Sequence, residues 1–195
     1  VKAVDGLRQI LWGLFKKIVI ADNCAEFANM IFDNHTDYSG STLLLGAVFF
    51  AFQIYGDFSG YSDIALGTAR LFGIDLLRNF AFPYFSRNIA EFWRRWHISL
   101  SSFIRDYVYI PLGGNRNGFL QTQFNILLAM VISGLWHGAN STFIVWGTLH
   151  GLGVVFVNFY DKVLGKDQAM PIVLARLFTL SYVALAWVFF RADSN

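Results

Sequence analysis

The chain has 195 residues, of which 55% are hydrophobic, 18% aromatic and only 14% charged. Soluble domains carry roughly 25% charged residues, and the mean hydropathy here is +0.46, so the composition excludes a soluble globular protein and reads as an integral membrane protein. A net charge of +2 gives no ground for a nucleic-acid partner, and the single Cys24 excludes an intrachain disulfide and a cysteine-based metal site.

Leu7, Ile10, Leu11, Leu14, Phe15 and Ile18 recur at helical spacing, with Arg8, Lys16 and Lys17 mostly off that stripe. This predicts an amphipathic helix with a basic side, lying on or entering the interface; the alternative is a core-facing helix. Asp22 and Asn23 are placed to cap a short second helix through Phe32. A polar loop over residues 33–40 follows, with a solvated His35. Ser41 or Thr42 can then cap a helix over residues 43–55. It runs into Gly56-Asp57-Phe58-Ser59-Gly60-Tyr61-Ser62-Asp63, where two aspartates and two glycines predict a bent or broken membrane helix. Those aspartates read equally well as caps or partners of Arg70 and Arg78, or as part of a site.

Residues 70–78 look like a turn at the membrane surface, and Pro83 closes what precedes it. Asn88 followed three residues later by Glu91 predicts a capped helix start. The helix should carry Trp93, Trp96, Leu100, Phe103, Ile104 and Tyr107 as one stripe, with His97 on it. Five arginines between Arg87 and Arg116 against Glu91 and Asp106 place this stretch on the cytoplasmic side. A turn-rich segment over 111–118 leads to an apolar helix over 119–136, which breaks at Gly138. Asn140 or Ser141 caps the next helix, over 142–160. His150 there, among Gly147, Gly151 and Gly153, reads as a helix-packing group. A polar loop over 161–168 and Pro171 precede a last helix over 172–190, from which Arg176 can snorkel.

No repeat or domain boundary is visible. The expected fold is an all-α integral membrane bundle with broken and interfacial helices, a single domain over residues 1–195. With no initiator methionine, the chain reads as a central or C-terminal segment of a longer protein.

Two islands carry the candidate chemistry: Glu91-Phe92-Trp93-Arg94-Arg95-Trp96-His97 and Gly134-Leu135-Trp136-His137-Gly138-Ala139-Asn140. Ionisable groups at membrane depth are expensive and are candidates for function by default. A neutral imidazole can take a proton from a hydroxyl near neutral pH, which makes His97 and His137 the candidate catalytic pair. The competing reading is two hydrogen-bonded packing groups. The four histidines are widely spaced and form no His-x-x-x-His pair, so no metal is expected. No Gly-x-Ser-x-Gly elbow and no glycine-rich nucleotide loop occur, and Cys24 lacks basic neighbours that would activate it.

These islands, with Tyr55-Gly56-Asp57-Phe58-Ser59-Gly60-Tyr61-Ser62-Asp63-Ile64-Ala65, Asn79-Phe80-Ala81-Phe82-Pro83-Tyr84 and Arg105-Asp106-Tyr107-Val108-Tyr109-Ile110-Pro111-Leu112-Gly113-Gly114, resemble the membrane-bound O-acyltransferase family, most closely its alginate O-acetyltransferase branch. The resemblance implies a membrane enzyme with a central tunnel, in the bacterial inner membrane. An acyl thioester, acetyl-CoA or an acyl carrier, enters from the cytoplasm as co-substrate, and no bound cofactor is implied. The acceptor is a polysaccharide hydroxyl, or a partner periplasmic acetyltransferase that finishes the transfer. The histidine of the family's Trp-His-Gly motif corresponds to His137, and its polar partner to His97. Teichoic-acid D-alanyl transfer is the alternative within the family. A transporter or a non-catalytic scaffold for polysaccharide export is the alternative outside it.

Overall fold

The computed structural model describes residues 2–165 and 170–192. The protein is an all-α, multi-pass membrane protein: among the described residues four helices are long and apolar enough to cross a membrane. The chain forms two compact units, Val1–Asn79 and Phe80–Asn195.

The first unit holds α1 (Lys2–Leu14), α2 (Asp22–Asp33) and α3 (Gly40–Leu71). A π-helical turn, Phe15–Ala21, joins α1 to α2 without leaving helical geometry. Asp22 and Asn23 therefore do not cap a new helix. Ala21 before them is itself helical (φ −67°, ψ −47°), and Asn23 Nδ2 instead donates to the Val19 carbonyl at 2.9 Å. Ser39, not Ser41 or Thr42, precedes the first residue of α3. Leu7 and Leu11 of α1 and Ile18 of the π-helical turn are exposed and face away from the unit's own core, whereas Ile10 packs at Gly67 of α3. The packed side of α1 carries glycines. A β-carbon on Gly13 would come within 2.6 Å of the Gly60 carbonyl oxygen, and one on Gly60 within 2.8 Å of the Gly13 oxygen. Absent side chains let α1 and α3 touch backbone to backbone.

The expected break in α3 does not occur. Its 32 residues are continuous, because the features read as disruptive are accommodated by the neighbouring helix. The glycines serve the close approach. The aspartates are matched by lysines: Lys16 pairs with Asp63 and donates to Ser59 Oγ at 3.0 Å, and Lys17 meets Asp57 at 2.9 Å. Gln9 Nε2 donates to Asp63 Oδ1 at 3.0 Å, and Arg70 donates to Gln9. Lys16 is thus buried, not part of a solvated basic side.

The second unit holds α4 (Ile89–Arg95), α5 (Ile98–Ile104), α6 (Phe119–His137), α7 (Ser141–Leu164) and α8 (Ile172–Arg191). A π-helical turn, Arg105–Tyr109, prolongs α5. The turn before α6 is pinned by buried Asn125, whose Nδ2 donates to the carbonyls of Leu112 and Gly114 at 3.1 and 3.0 Å. Gly113 and Gly114 there have φ of +101° and +56°, which side chains rarely adopt. α6 and α7 meet along a glycine seam: a β-carbon on Gly147 would come within 3.3 Å of the Gly134 Cα. The polar stretch after residue 160 is helical through Leu164, because its first turn continues α7. Residues 166–168 of that predicted loop lie outside the described residues. Arg176 Nε donates to the Phe85 carbonyl at 3.1 Å.

Candidate active site

Asn88 starts α4 as its sequence predicts, its side chain accepting from the Glu91 amide at 2.7 Å. Glu91 is nearly enclosed. Burial pushes its carboxyl upward, but the backbone N–H and guanidinium of Arg87 and the charge of Arg95 prevail and hold it below the ordinary 4.5. Arg95 Nη2 lies 2.6 Å from its Oε1.

The helix predicted to run on through His97 does not. It stops at Arg95, Trp96 turns extended (φ −106°, ψ 131°), and His97 is left-handed at φ 42°, ψ 57° before α5 begins. That region costs a non-glycine residue about 1–2 kcal/mol. Trp96 packing holds it. The ring is 3% exposed, stacks on Phe92 with centroids 5.5 Å apart, and meets Phe80 edge-on at 4.9 Å. His97 is buried at this break. Burial, with the charge of nearby His137 adding to it, lowers its pKa to about 4, so the imidazole is neutral at physiological pH.

His137 is the last residue of α6, also at a break. Gly138 is extended (φ 161°), and a β-carbon there would run into the Phe143 ring at 2.7 Å. Asn140 then caps α7, accepting from the Thr142 amide at 3.1 Å. The His137 ring stands nearly perpendicular to Trp136, Trp146 and Phe190, with centroids 4.9, 5.1 and 5.1 Å away. Trp136 also meets His97 edge-on at 6.0 Å. One indole therefore contacts both histidines, which lie 40 residues apart in sequence. What the site offers is imidazole in an aromatic surround.

Behind this pair lies a ring cluster from three helices: Phe92 and Trp93 of α4, Trp146 and His150 of α7, and Tyr182, Trp187 and Phe190 of α8. To one side opens a cleft of about 390 Å³. Trp93, Ile104, Ala129 and Met130 give it apolar walls; Arg94 and Arg105 lie on its polar side, Arg105 paired with Asp106 at 2.7 Å. Neither His97 nor His137 lines it.

The membrane-bound O-acyltransferase family model matches residues 4–190, nearly the whole chain and both of its units. The chain belongs to the membrane-bound O-acyltransferase family. Among its relatives, a peptidoglycan O-acetyltransferase of Helicobacter pylori is 49% identical over 93% of the chain and 35% of its own length. A probable alginate O-acetylase, AlgI, of Pseudomonas aeruginosa is 43% identical over 99% of the chain and 36% of its own length. A teichoic acid D-alanyltransferase of Bacillus subtilis is 28% identical over 95% and 50%. The chain thus spans about a third of the O-acetyltransferase relatives and half of this D-alanyltransferase.

In this member of the family, then, His97 and His137 are brought to one indole. Asp57 and Asp63 are taken up by lysines of the first unit, not by Arg70 or Arg78. Trp136 as the shared ring, Trp146 as the wall of His137 and the Arg94–Arg105 cleft were missed in the sequence. Only the first had a signal, its position beside His137; the cleft and the wall depend on which helix faces which.

Proposed function

We propose that the protein transfers an acetyl group from a cytoplasmic acyl thioester to hydroxyls of an extracytoplasmic polysaccharide, using His137 as general base and His97 as its partner. The observation that carries this reading is the meeting of two imidazoles, His97 buried and His137 half-buried, each at a helix break, on the single ring of Trp136. His137 Nδ1 or Nε2 accepts the acceptor's hydroxyl proton as the oxygen attacks the thioester carbonyl. His97 orients the reactants or donates to the oxyanion. The intermediate collapses as the C–S bond breaks, and the thiolate takes the proton from the His137 imidazolium. Neutral His97 is suited to this, since a second positive charge would oppose protonation of His137.

The cleft with Arg94 at its polar side and Trp93 in its wall supports a donor with a phosphate-bearing arm, because a guanidinium group binds phosphate and apolar walls accept an alkyl chain. Acetyl is favoured over D-alanyl by the relatives: those named for O-acetylation reach 42–49% identity, those named for D-alanylation 28–35%. The polymers in those names, alginate and peptidoglycan, share hydroxylated sugars. The two units act as one acyltransferase domain, in the inner membrane, with the arginine-rich stretch cytoplasmic and a periplasmic transferase able to complete delivery.

The test is label transfer in membranes containing the whole protein, with acetyl and D-alanyl thioesters offered in parallel, for wild type and for His137→Ala at equal insertion. Acetyl transfer that disappears in the variant is the expected result. D-alanyl transfer alone would move the protein to the other branch. Transfer unchanged by His137→Ala would remove that residue from the chemistry.

A further inference from the structure

His150 lies in the middle of α7, is 0% exposed and touches neither the cleft nor solvent. A wholly enclosed imidazole at membrane depth is costly where an apolar residue would fill the same space. Its hydrogen bond states what it is used for. Trp93 Nε1–H on α4 donates to His150 Nδ1 at 3.2 Å. Indole can only donate, so Nδ1 is the acceptor and the ring proton of the neutral imidazole sits on Nε2. The bond locks the tautomer and the rotation of the ring.

The locked ring has one consequence toward the site. Trp146 precedes His150 by one helical turn, so both rings project from the same face of α7, with centroids 4.9 Å apart. The far side of Trp146 meets His137 at 5.1 Å and 85°. Trp146 has only two side-chain torsions. With His150 fixed on one side and Trp187 at 5.9 Å on another, its plane is determined. That plane is one of four ring contacts, with Trp136, Phe143 and Phe190, that orient the His137 imidazole.

We propose that His150 is a positioning residue for His137, acting through Trp146 and held in place by the Trp93 hydrogen bond. The proposal rests on His137 being the base of the transfer reaction. It makes Trp93 more than a wall of the cleft: the first aromatic island reaches the second through this bond.

Three substitutions separate positioning from mere filling. His150→Phe keeps an aromatic ring of similar size but removes the acceptor. His150→Asn loses volume but offers an amide oxygen where Nδ1 stood. Trp93→Phe removes the donor and stands in for His150→Phe should the latter fail to insert. In whole protein at equal insertion, His150→Phe should lower kcat about 10- to 100-fold with the thioester KM changed less than about twofold, the signature of a misplaced catalytic group. His150→Asn should recover most of that loss. The second readout is independent of turnover: imidazole NMR signals of histidine-labelled protein in nanodiscs, with those of His137 assigned by their loss in His137→Gln. They sit in the ring-current field of Trp146 and should move in His150→Phe but stay in place in His150→Asn. Wild-type kcat in His150→Phe, or His150→Asn as slow as His150→Phe, overturns the proposal, as do unmoved His137 signals. If wild type transfers no acyl group at all, the functional reading fails, while the NMR arm still decides whether His150 orients His137.

Discussion

The two units treat polar side chains inside an apolar setting in opposite ways. In the first, the lysines on the side facing α3 are met by carboxylates: Lys16 by Asp63, Lys17 by Asp57 and Asp22. The helices that carry them are welded by glycine contacts. In the second, the groups at the helix breaks are imidazoles among indoles and phenyl rings, and the ion pairs lie elsewhere: Glu91 with Arg87 and Arg95 on α4 and its approach, and Arg105 with Asp106 in the turn after α5. The difference teaches how structural and chemical polarity can be told apart in a membrane chain. A charge compensated by its opposite is spent on holding helices together. An imidazole that is neutral when buried is a group that can still take part in proton transfer.

The comparison breaks first at His137. Its replacement by glutamine should lower transfer by about 10³-fold, within the range of lost general-base catalysis, and leave thermal unfolding of the solubilised protein nearly unchanged. Asp63→Asn should do the reverse. It strands Lys16, which is 8% exposed, and should destabilise by about 3 kcal/mol while transfer per folded molecule holds. Lys16→Met with Asp63→Leu should recover much of that loss. If Asp63→Asn abolished transfer at equal folded amount, the division drawn between the units would be wrong.

Gly60→Leu sharpens the structural side. With the Gly13 carbonyl within 2.8 Å of the new β-carbon, α1 must move, and a loss of about 2 kcal/mol or more is expected in a denaturant titration.

A smaller effect concerns His97, whose pKa falls from 6.5 to about 4. Between those values the unfolded state binds the proton and the folded state does not. Stability therefore declines as pH falls through that window, by at most about 1.4 kcal/mol per pH unit. His97→Gln should flatten that part of the unfolding profile, measured as midpoint against pH. The smallest change is Lys17→Met: both partners of its ion pairs are about half exposed, and the shift should stay under about 1 kcal/mol.

Much of the helical plan was legible because it rests on local rules. The Asn88 cap, the Asn140 cap, the apolar spans and the stop at Gly138 follow from side chains within four residues of one another. The misread places are those where a partner from elsewhere in the chain overrides local propensity. The glycines and aspartates of α3 look disruptive alone and are harmless against α1. Conversely, Trp93–Tyr107 looks like one uninterrupted stripe, yet the burial of Trp96 against Phe92 and Phe80 forces His97 left-handed and splits it. His150 is the subtlest case, since helical spacing could show that it is buried but not which indole donates to it.

The sequence by itself determined the membrane class and the family and singled out two candidate histidines, since hydrophobicity, motif order and residue type are properties of the chain as written. Only the tertiary structure decided that both imidazoles meet one tryptophan, that the aspartates belong to lysines, and that α3 is whole. Those outcomes depend on which faces of distant helices come within a few ångströms, and contacts of that range are set by packing, not by neighbours in the chain.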